Sequence, residues 1–387
     1  MDGRLSSLIV QVAGIFSQLS TYISAGFGRD LAGLLARLPY CQIRSEIVIS
    51  ICLTNLPVNS PIFATERLLF TPATPDANAI PTIFAFPNEY TVGITSLGYQ
   101  IVWATLAMRP DVEVSRLFTD IHESLPRKPE LVGFSFSWEL DYVNILNLLE
   151  SLGIPLRSLT RNNDHPLIFG GGPVLTANPE PFAEFFDLIL LGDGENLLGN
   201  FITAYKQVRT ADRQTQLKHL AKVPGVYVPS LYEVTYHDVT GTIKSILPID
   251  TEVPNIIEKQ TYRGNTLSAS TVVTEKAAWE NIYMVEVVRS CPEMCRFCLA
   301  SYLTLPFRTA SLEDSLIPAI ERGLEVTDRL GLLGASVTQH PEFDSLLDYL
   351  SQPKYDHVRL SIASVRTSGS ATTARRPCTS TRWTAWC

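Results

Sequence analysis

No apolar stretch of this chain reaches the about 20 residues that cross a bilayer. Gly, Arg, Asp or Pro interrupts each one, and no basic-apolar-small signal sequence opens the chain. A cytoplasmic protein with no membrane partner is expected. Basic residues are short as well: 31 Lys and Arg stand against 39 Asp and Glu, a formal net charge of -8. Broad nucleic-acid binding runs on Lys and Arg neutralising phosphates and is disfavoured, leaving room only for a local basic groove. Cysteine is sparse and uneven, seven in all with none between Cys52 and Cys291. That is no disulfide framework, and it suits a reducing compartment. From Thr367 to Cys387 there is no Leu, Ile, Val, Phe, Asp or Glu. No strand or helix period is legible there, and such a composition buries too little apolar surface to order itself.

What is present is length and apolar content. With 387 residues, 45% of them hydrophobic, the chain can fill two or three cores at about 150 residues per domain. Its sharpest chemical feature is the apolar β-like run from Val285 to Ser290, which empties into Cys291, Cys295 and Cys298. Three thiols at Cys-x3-Cys-x2-Cys spacing on one loop can converge on one metal centre. Soft sulfur suits an iron–sulfur cluster, zinc or cuprous copper. Structural zinc is normally closed by four protein ligands, and no second Cys or His pair follows at a suitable distance. His340 or His357 would have to supply the fourth. Upstream, Cys41 and Cys52 read as small buried hydrophobes.

With Phe297 just before the last thiol, this loop resembles the signature of the radical S-adenosylmethionine (radical SAM) superfamily. The resemblance implies that Cys291, Cys295 and Cys298 hold a 4Fe-4S cluster whose open iron is chelated by S-adenosylmethionine. It implies reductive cleavage of the sulfonium to a 5′-deoxyadenosyl radical, hydrogen abstraction from a substrate the sequence does not name, and an electron donor such as flavodoxin or ferredoxin. Gly334, Ala335 and Ser336 match by position the segment that meets the amino group of S-adenosylmethionine, without the common Gly-Gly-Glu form. Phe297 and Ser361 complete the expected S-adenosylmethionine set. The alternatives are a truncated, non-catalytic fragment that keeps cluster binding, and a zinc-binding interaction module.

Ahead of the cysteines the pattern alternates. Thr82 to Phe86, Val112 to Phe118 and Leu131 to Ser137 read as strands, and Ser96 to Met108 and Tyr142 to Leu152 as helices. Leu167-Ile168-Phe169 and Leu188-Ile189-Leu190-Leu191 are short strands followed by glycines. Strands separated by helices predict an α/β fold with a doubly wound parallel sheet. Gly170, Gly171, Gly172, Gly192 and Gly194 then fall at carboxyl ends of strands, as candidate ligand loops or simply tight turns. Together with Asn178-Pro179-Glu180-Pro181-Phe182, these loops resemble the cobalamin-binding-like (Rossmann-type) domain that precedes the radical domain in one branch of the superfamily. The classical cobalamin module takes an axial histidine from Asp-x-His-x-x-Gly after its first strand. Asp120-Ile121-His122-Glu123-Ser124-Leu125 lacks that glycine and follows the second strand, so His122 reads as a solvated loop residue and cobalamin is not favoured. The cysteine-free stretch also disfavours the methylthiotransferase branch.

The expected organisation is a 1–62 extension, since the resemblance begins near Phe63, then a cobalamin-binding-like domain over 63–224. A small β element and linker occupy 225–280, with a hairpin of Tyr232 to Tyr236 and Thr242 to Leu247. Over 281–366 comes the first part of a (βα) partial TIM barrel, with a capping-box-like Ser311, strands Leu330 to Val337 and Val358 to Val365, and helix Phe343 to Leu350 between them. Fewer (βα) units are visible than the family's barrel carries before the off-pattern tail at 367–387, so a truncated or frame-shifted product is expected. Glu286 and Arg289 either face substrate or pair with each other, Arg296 reads as a surface charge, and Ser361, Ser364 and Arg366 end the third strand.

Overall fold

The computed structural model describes residues 61–365 and the backbone of residues 383–386. Expectations for residues 1–60, for Arg366 and for Cys378 and Cys387 lie outside the described residues.

The first sheet contains β1 (Ile80–Ala85), β2 (Val112–Leu117), β3 (Leu131–Ser135), β4 (Leu167–Gly171), β5 (Leu188–Leu190) and β6 (Val226–Tyr227), in the spatial order β2-β1-β3-β4-β5-β6. β1 to β5 are parallel and β6 is antiparallel. Between them run α1 (Leu97–Ala107), α2 (Tyr142–Ser151), α3 (Pro173–Ala177), α4 (Gly194–Val208) and α5 (Arg213–Leu220). Local chemistry sets the starts of two of these: Ser96 accepts from the Tyr99 amide and Asp212 from the Thr215 amide, filling donors that a first helical turn leaves open. Successive side chains of a strand point to opposite faces, and here both faces are covered. Ile80, Phe84, Leu131, Leu167, Phe169 and Leu188 pack with Trp103 of α1 and with Phe201 and Ile202 of α4. The alternate set, Ile83, Ala85, Val132, Phe134, Ile168 and Ile189, packs with Ile145 and Leu149 of α2 and Leu175 of α3. This is the doubly wound parallel sheet the alternation predicts.

The hairpin Tyr232–Tyr236 with Ile243–Pro248 follows as expected, antiparallel and with an irregularity at Thr235 and Tyr236. A second sheet then forms from β7 (Ile282–Glu286), β8 (Arg329–Leu333), β9 (Arg359–Ala363) and β10 (Trp383–Trp386), all parallel and side by side in chain order. The associated helices are α6 (Leu299–Leu303), α7 (Ile317–Leu324) and α8 (Phe343–Leu350). Tyr283, Val285, Leu330, Leu332, Leu360 and Ile362 face Leu316, Ile320 and Leu346 in one core. The residues between them, Met284, Gly331 and Ser361, fall in register on the other face.

Three expectations need correction here. The apolar run into the cysteines is not one strand: β7 ends at Glu286, and Val288–Arg289 pairs antiparallel with Arg308–Thr309. The strand expected to reach Val337 stops at Leu333, because Gly334 turns the chain at φ +154° and Val337–Gln339 forms a 3-10 turn. The tail, in which no strand was legible, nevertheless supplies β10. Edge pairing with β9 needs only backbone donors and acceptors, so no side-chain period announces it.

Asp141, at the start of α2, is buried; its Oδ1 accepts from Asn88 Nδ2 at 2.9 Å and its Oδ2 has no partner. Burial pushes this carboxyl up, and the Asn88 bond only partly opposes it. A folded pKa above the unfolded one, about 4, means that the acid loses stability for the fold as pH rises through that window. Asp141→Asn should therefore gain on the wild type in urea unfolding between pH 4 and pH 7; a gain that shrinks with pH would show a carboxylate held by a compensating partner.

Candidate functional site

Where the carboxyl ends of β1, β3, β4 and β5 come together, a cavity of about 430 Å³ opens. Its walls are mostly apolar: Phe84, Phe134, Phe169 and Leu190 from the strands, Val102 from α1, Leu197 and Leu198 from α4. Ser135, Ser137, Thr105, Thr176, Ser268 and Thr304 add hydroxyls. Of the five candidate ligand-loop glycines, Gly171, Gly172, Gly192 and Gly194 line it. Gly170 does not. A Cβ there would stand 2.5 Å from Leu175 and 2.6 Å from Phe186, so this glycine serves core packing. Gly192, at φ +104°, lies so close to the Gln260 carbonyl that no side chain fits.

Cys291, Cys295 and Cys298 are half-buried free thiols on the loop that leaves Val288–Arg289. Ser290 and Met294 take positive φ values of 74° and 49° to fold it, and the Cys298 amide donates to the Cys295 carbonyl at 3.0 Å. Cys298 is the N-cap residue of α6, which lies beside α3 and extends through Leu303 and Thr304 onto the cavity wall. The loop therefore adjoins the cavity of the first sheet. Soft, unoxidised donors at this spacing fit a cluster in type and number. Among the described residues, no three His, Cys, Asp or Glu side chains gather closely enough to hold a metal ion. Neither proposed zinc partner is poised to close the set. His340 donates from Nε2 to the Ala310 carbonyl at 2.7 Å and accepts at Nδ1 from the Glu342 amide at 3.1 Å, which uses both ring nitrogens; His357 is exposed.

The charged groups between cavity and cysteines form one network. The Arg289 guanidinium bonds both Glu286 oxygens at 2.8 and 2.7 Å, Glu195 at 2.7 Å and Asp193 at 3.3 Å, and donates to Ser268 Oγ at 3.2 Å. Asp193 in turn bonds Arg308 at 2.5 Å and accepts from the Tyr262 amide at 2.8 Å. Burial works to lower the Arg289 pKa, and Glu286, Glu195 and Asp193 outweigh it, so the guanidinium stays charged. Glu286 and Arg289 pair with each other and both also line the cavity. Arg296 is exposed, as expected.

The residues expected to meet S-adenosylmethionine do not line this cavity. Gly334 packs on the strand leading to Cys291, where a Cβ would sit 2.5 Å from Val288 Cγ2 and 2.7 Å from its carbonyl oxygen. Ser336 donates to Gln339 at 2.6 Å, and Gln339 donates to Glu293 of the cysteine loop at 2.5 Å. Ala335 and Phe297 are exposed, Phe297 at 92%, and Ser361 pairs with Gly331 in the sheet. His122 is corrected: it is buried rather than solvated, pinned by an antiparallel bridge to Leu117, with Nδ1 bonded to the Glu123 carbonyl at 2.6 Å and Nε2 unpartnered. It is not on the cavity wall. Sequence reasoning missed Arg308, Ser268 and Tyr262, which carry no motif. The available signal was the pair of acids in Gly192-Asp193-Gly194-Glu195, since buried carboxylates require cationic partners.

Taken together, fold and loop define a class: a parallel α/β protein whose first sheet opens its ligand end toward a three-thiol loop. Residues 120–229 match the family model described as radical SAM proteins, N-terminal, so that segment is similar to the N-terminal part of such proteins. An uncharacterized protein of Methanocaldococcus jannaschii is 25% identical over 267 residues, 68% of this chain and 51% of its own. The chain thus spans about half the length of that curated relative. Among solved structures, the cobalamin-dependent S-adenosylmethionine radical enzyme OxsB, with aqua-cobalamin and S-adenosylmethionine bound, is 16% identical at a TM-score of 0.42, over 74% of this chain and 39% of that one. The radical S-adenosylmethionine methyltransferase TsrM from Kitasatospora setae, with cobalamin and a [4Fe-4S] cluster bound, is 13% identical at a TM-score of 0.44, over 74% of this chain and 54% of that one.

Gly334→Ala should lower the unfolding free energy by about 1–3 kcal/mol, because its Cβ meets backbone that cannot swing away. Denaturant unfolding checks it; an unchanged midpoint would mean that the turn beside Val288 yields freely.

Proposed function

We propose that this chain binds a 4Fe-4S cluster through Cys291, Cys295 and Cys298 and acts as a radical SAM enzyme on an organic substrate. When bound, the cluster supplies the electron for reductive cleavage of S-adenosylmethionine to a 5′-deoxyadenosyl radical that abstracts hydrogen. The observation that carries this reading is the Cys-x3-Cys-x2-Cys loop that follows Val288–Arg289, just past the end of β7, downstream of the matched segment. The parallel β7-β8-β9 order, with helices packed on one face, supports reading residues 281–366 as the start of a (βα) partial barrel. Gly334, Ala335, Ser336, Ser361 and Phe297 are the residues proposed to meet S-adenosylmethionine. Their support is the Ser336–Gln339–Glu293 chain, which ties the end of β8 to the cysteine loop.

The glycine-lined cavity is proposed as the ligand site of the first sheet, over residues 63–224. Its apolar walls exclude water, and its backbone comes close where Gly171, Gly172, Gly192 and Gly194 lack side chains. No histidine is among its lining residues, so these walls would offer no imidazole to a cobalamin bound there.

Anaerobic reconstitution with iron and sulfide tests the main reading. The expected result is about four irons per chain, a reduced-cluster EPR signal that shifts when S-adenosylmethionine is added, and 5′-deoxyadenosine as product. Replacing any one of the three cysteines by alanine should abolish the signal. Bound zinc without iron would overturn the assignment, and iron without shift or product would leave a binding protein in place of an enzyme.

A further inference from the structure

We propose that Arg289 is a positioning residue that locks the cysteine loop to the cavity of the first sheet, so that the two sites are held as one unit. Its significance for catalysis rests on the cluster reading above, whereas the contact does not. Arg289 lies two residues before Cys291 and belongs to the short pair with Arg308–Thr309, outside the two large sheets. Its guanidinium bonds Glu286 at the end of β7 through Nε and Nη2 and, through Nη1, both Asp193 and Glu195 at the start of α4. One buried cation therefore holds the loop's entry, the end of the second sheet's first strand and the glycine turn of the cavity.

The lock is built from both ends of its short pair. Arg308, opposite Arg289 in register, bonds Asp193 and donates to the Thr304 carbonyl just past α6 at 2.7 Å. Lys259 donates to the Leu303 and Leu305 carbonyls at 3.0 Å each. The helix that begins at Cys298 is thus anchored at its far end, while the chain entering Cys291 is anchored by Arg289. Glu195 and Asp193 line the cavity, so a ligand that displaces either acid changes the hold on both ends of the thiol loop. Surface pairs carry little energy, but these side chains are between 12% and 21% exposed, where loss of one partner leaves a poorly solvated charge.

The test is amide hydrogen exchange of peptides covering residues 288–304 in the metal-free full chain, followed by EPR after iron reconstitution. Arg289→Gln and Glu195→Gln should each speed exchange in the loop by about fivefold or more, and the double variant no further than the faster single one, because Arg289→Gln already removes the contact that Glu195→Gln removes. Arg209→Gln, which breaks the separate pair with Glu130, should leave the loop unchanged. After reconstitution, Arg289→Gln should keep its iron yet lose the shift caused by S-adenosylmethionine, and Arg289→Lys should restore part of that shift. Unchanged loop exchange in a folded Glu195→Gln variant, or additive effects in the double variant, would overturn the lock; if Arg289→Gln does not fold, Glu195→Gln decides with Asp193→Asn. A wild type that takes up no iron would sink the cluster reading while leaving the exchange result to stand or fall on its own.

Discussion

One guanidinium shared among three carboxylates joins the two halves of this molecule. Arg289 reaches Glu286, Glu195 and Asp193, and Arg308 meets the second oxygen of Asp193. Two cations and three anions in partly buried positions are expensive to desolvate, and the cost is offset only if each charge keeps its neighbours. Such a group adds little net stability over an apolar interface, yet it admits far fewer arrangements. An apolar contact can slide by a side chain, whereas a bidentate arginine fixes both distance and angle. The loop of thiols inherits that fixity from its preceding residue.

The first sheet was legible because two separate signals agreed. Its strands carry apolar residues at successive positions, which only a sheet covered on both faces requires, and helix-length segments separate them. Ser96 and Asp212 mark helix starts by ordinary capping chemistry. The second sheet was legible up to β9, though not in its strand ends, because apolar strand-length runs alternate with helix-length segments there too. β10 was not, since pairing along an edge draws on backbone groups that every residue carries, and Trp383-Thr384-Ala385-Trp386 has no period to distinguish it.

The candidate site divides along a similar line. Cysteine spacing is written in the sequence and placed the thiols on one loop; four of the glycines named from the sequence line the cavity of the first sheet. What the sequence could not carry was the identity of partners brought from far away. Arg308 stands 115 residues from Asp193, and nothing in Thr304 to Thr309 distinguishes that arginine from a solvated one. Gly170 failed as a ligand-loop residue for the converse reason: one missing side chain looks alike in a sequence whether it makes room for a ligand or for Phe186. His122 failed because the chain reverses at Leu117 and buries a side chain that its polar neighbours suggested was wet.

The acids of the glycine turn have a double allegiance that bears on what the cavity can hold. Asp193, Glu195 and Glu286 face it with Arg289 as the lining cation, and Arg308 balances Asp193 from behind. Lys259 also interacts electrostatically with Asp193, so three cations accompany the three carboxylates beside walls of Phe84, Phe134, Phe169 and Leu190. An anionic ligand would find no free arginine at this end of the cavity, since Arg289 is already bonded to three carboxylates. The rest of the lining is mostly apolar and suits an uncharged, largely apolar ligand. The same arrangement that fixes the thiol loop thus restricts the chemistry of whatever lies next to it.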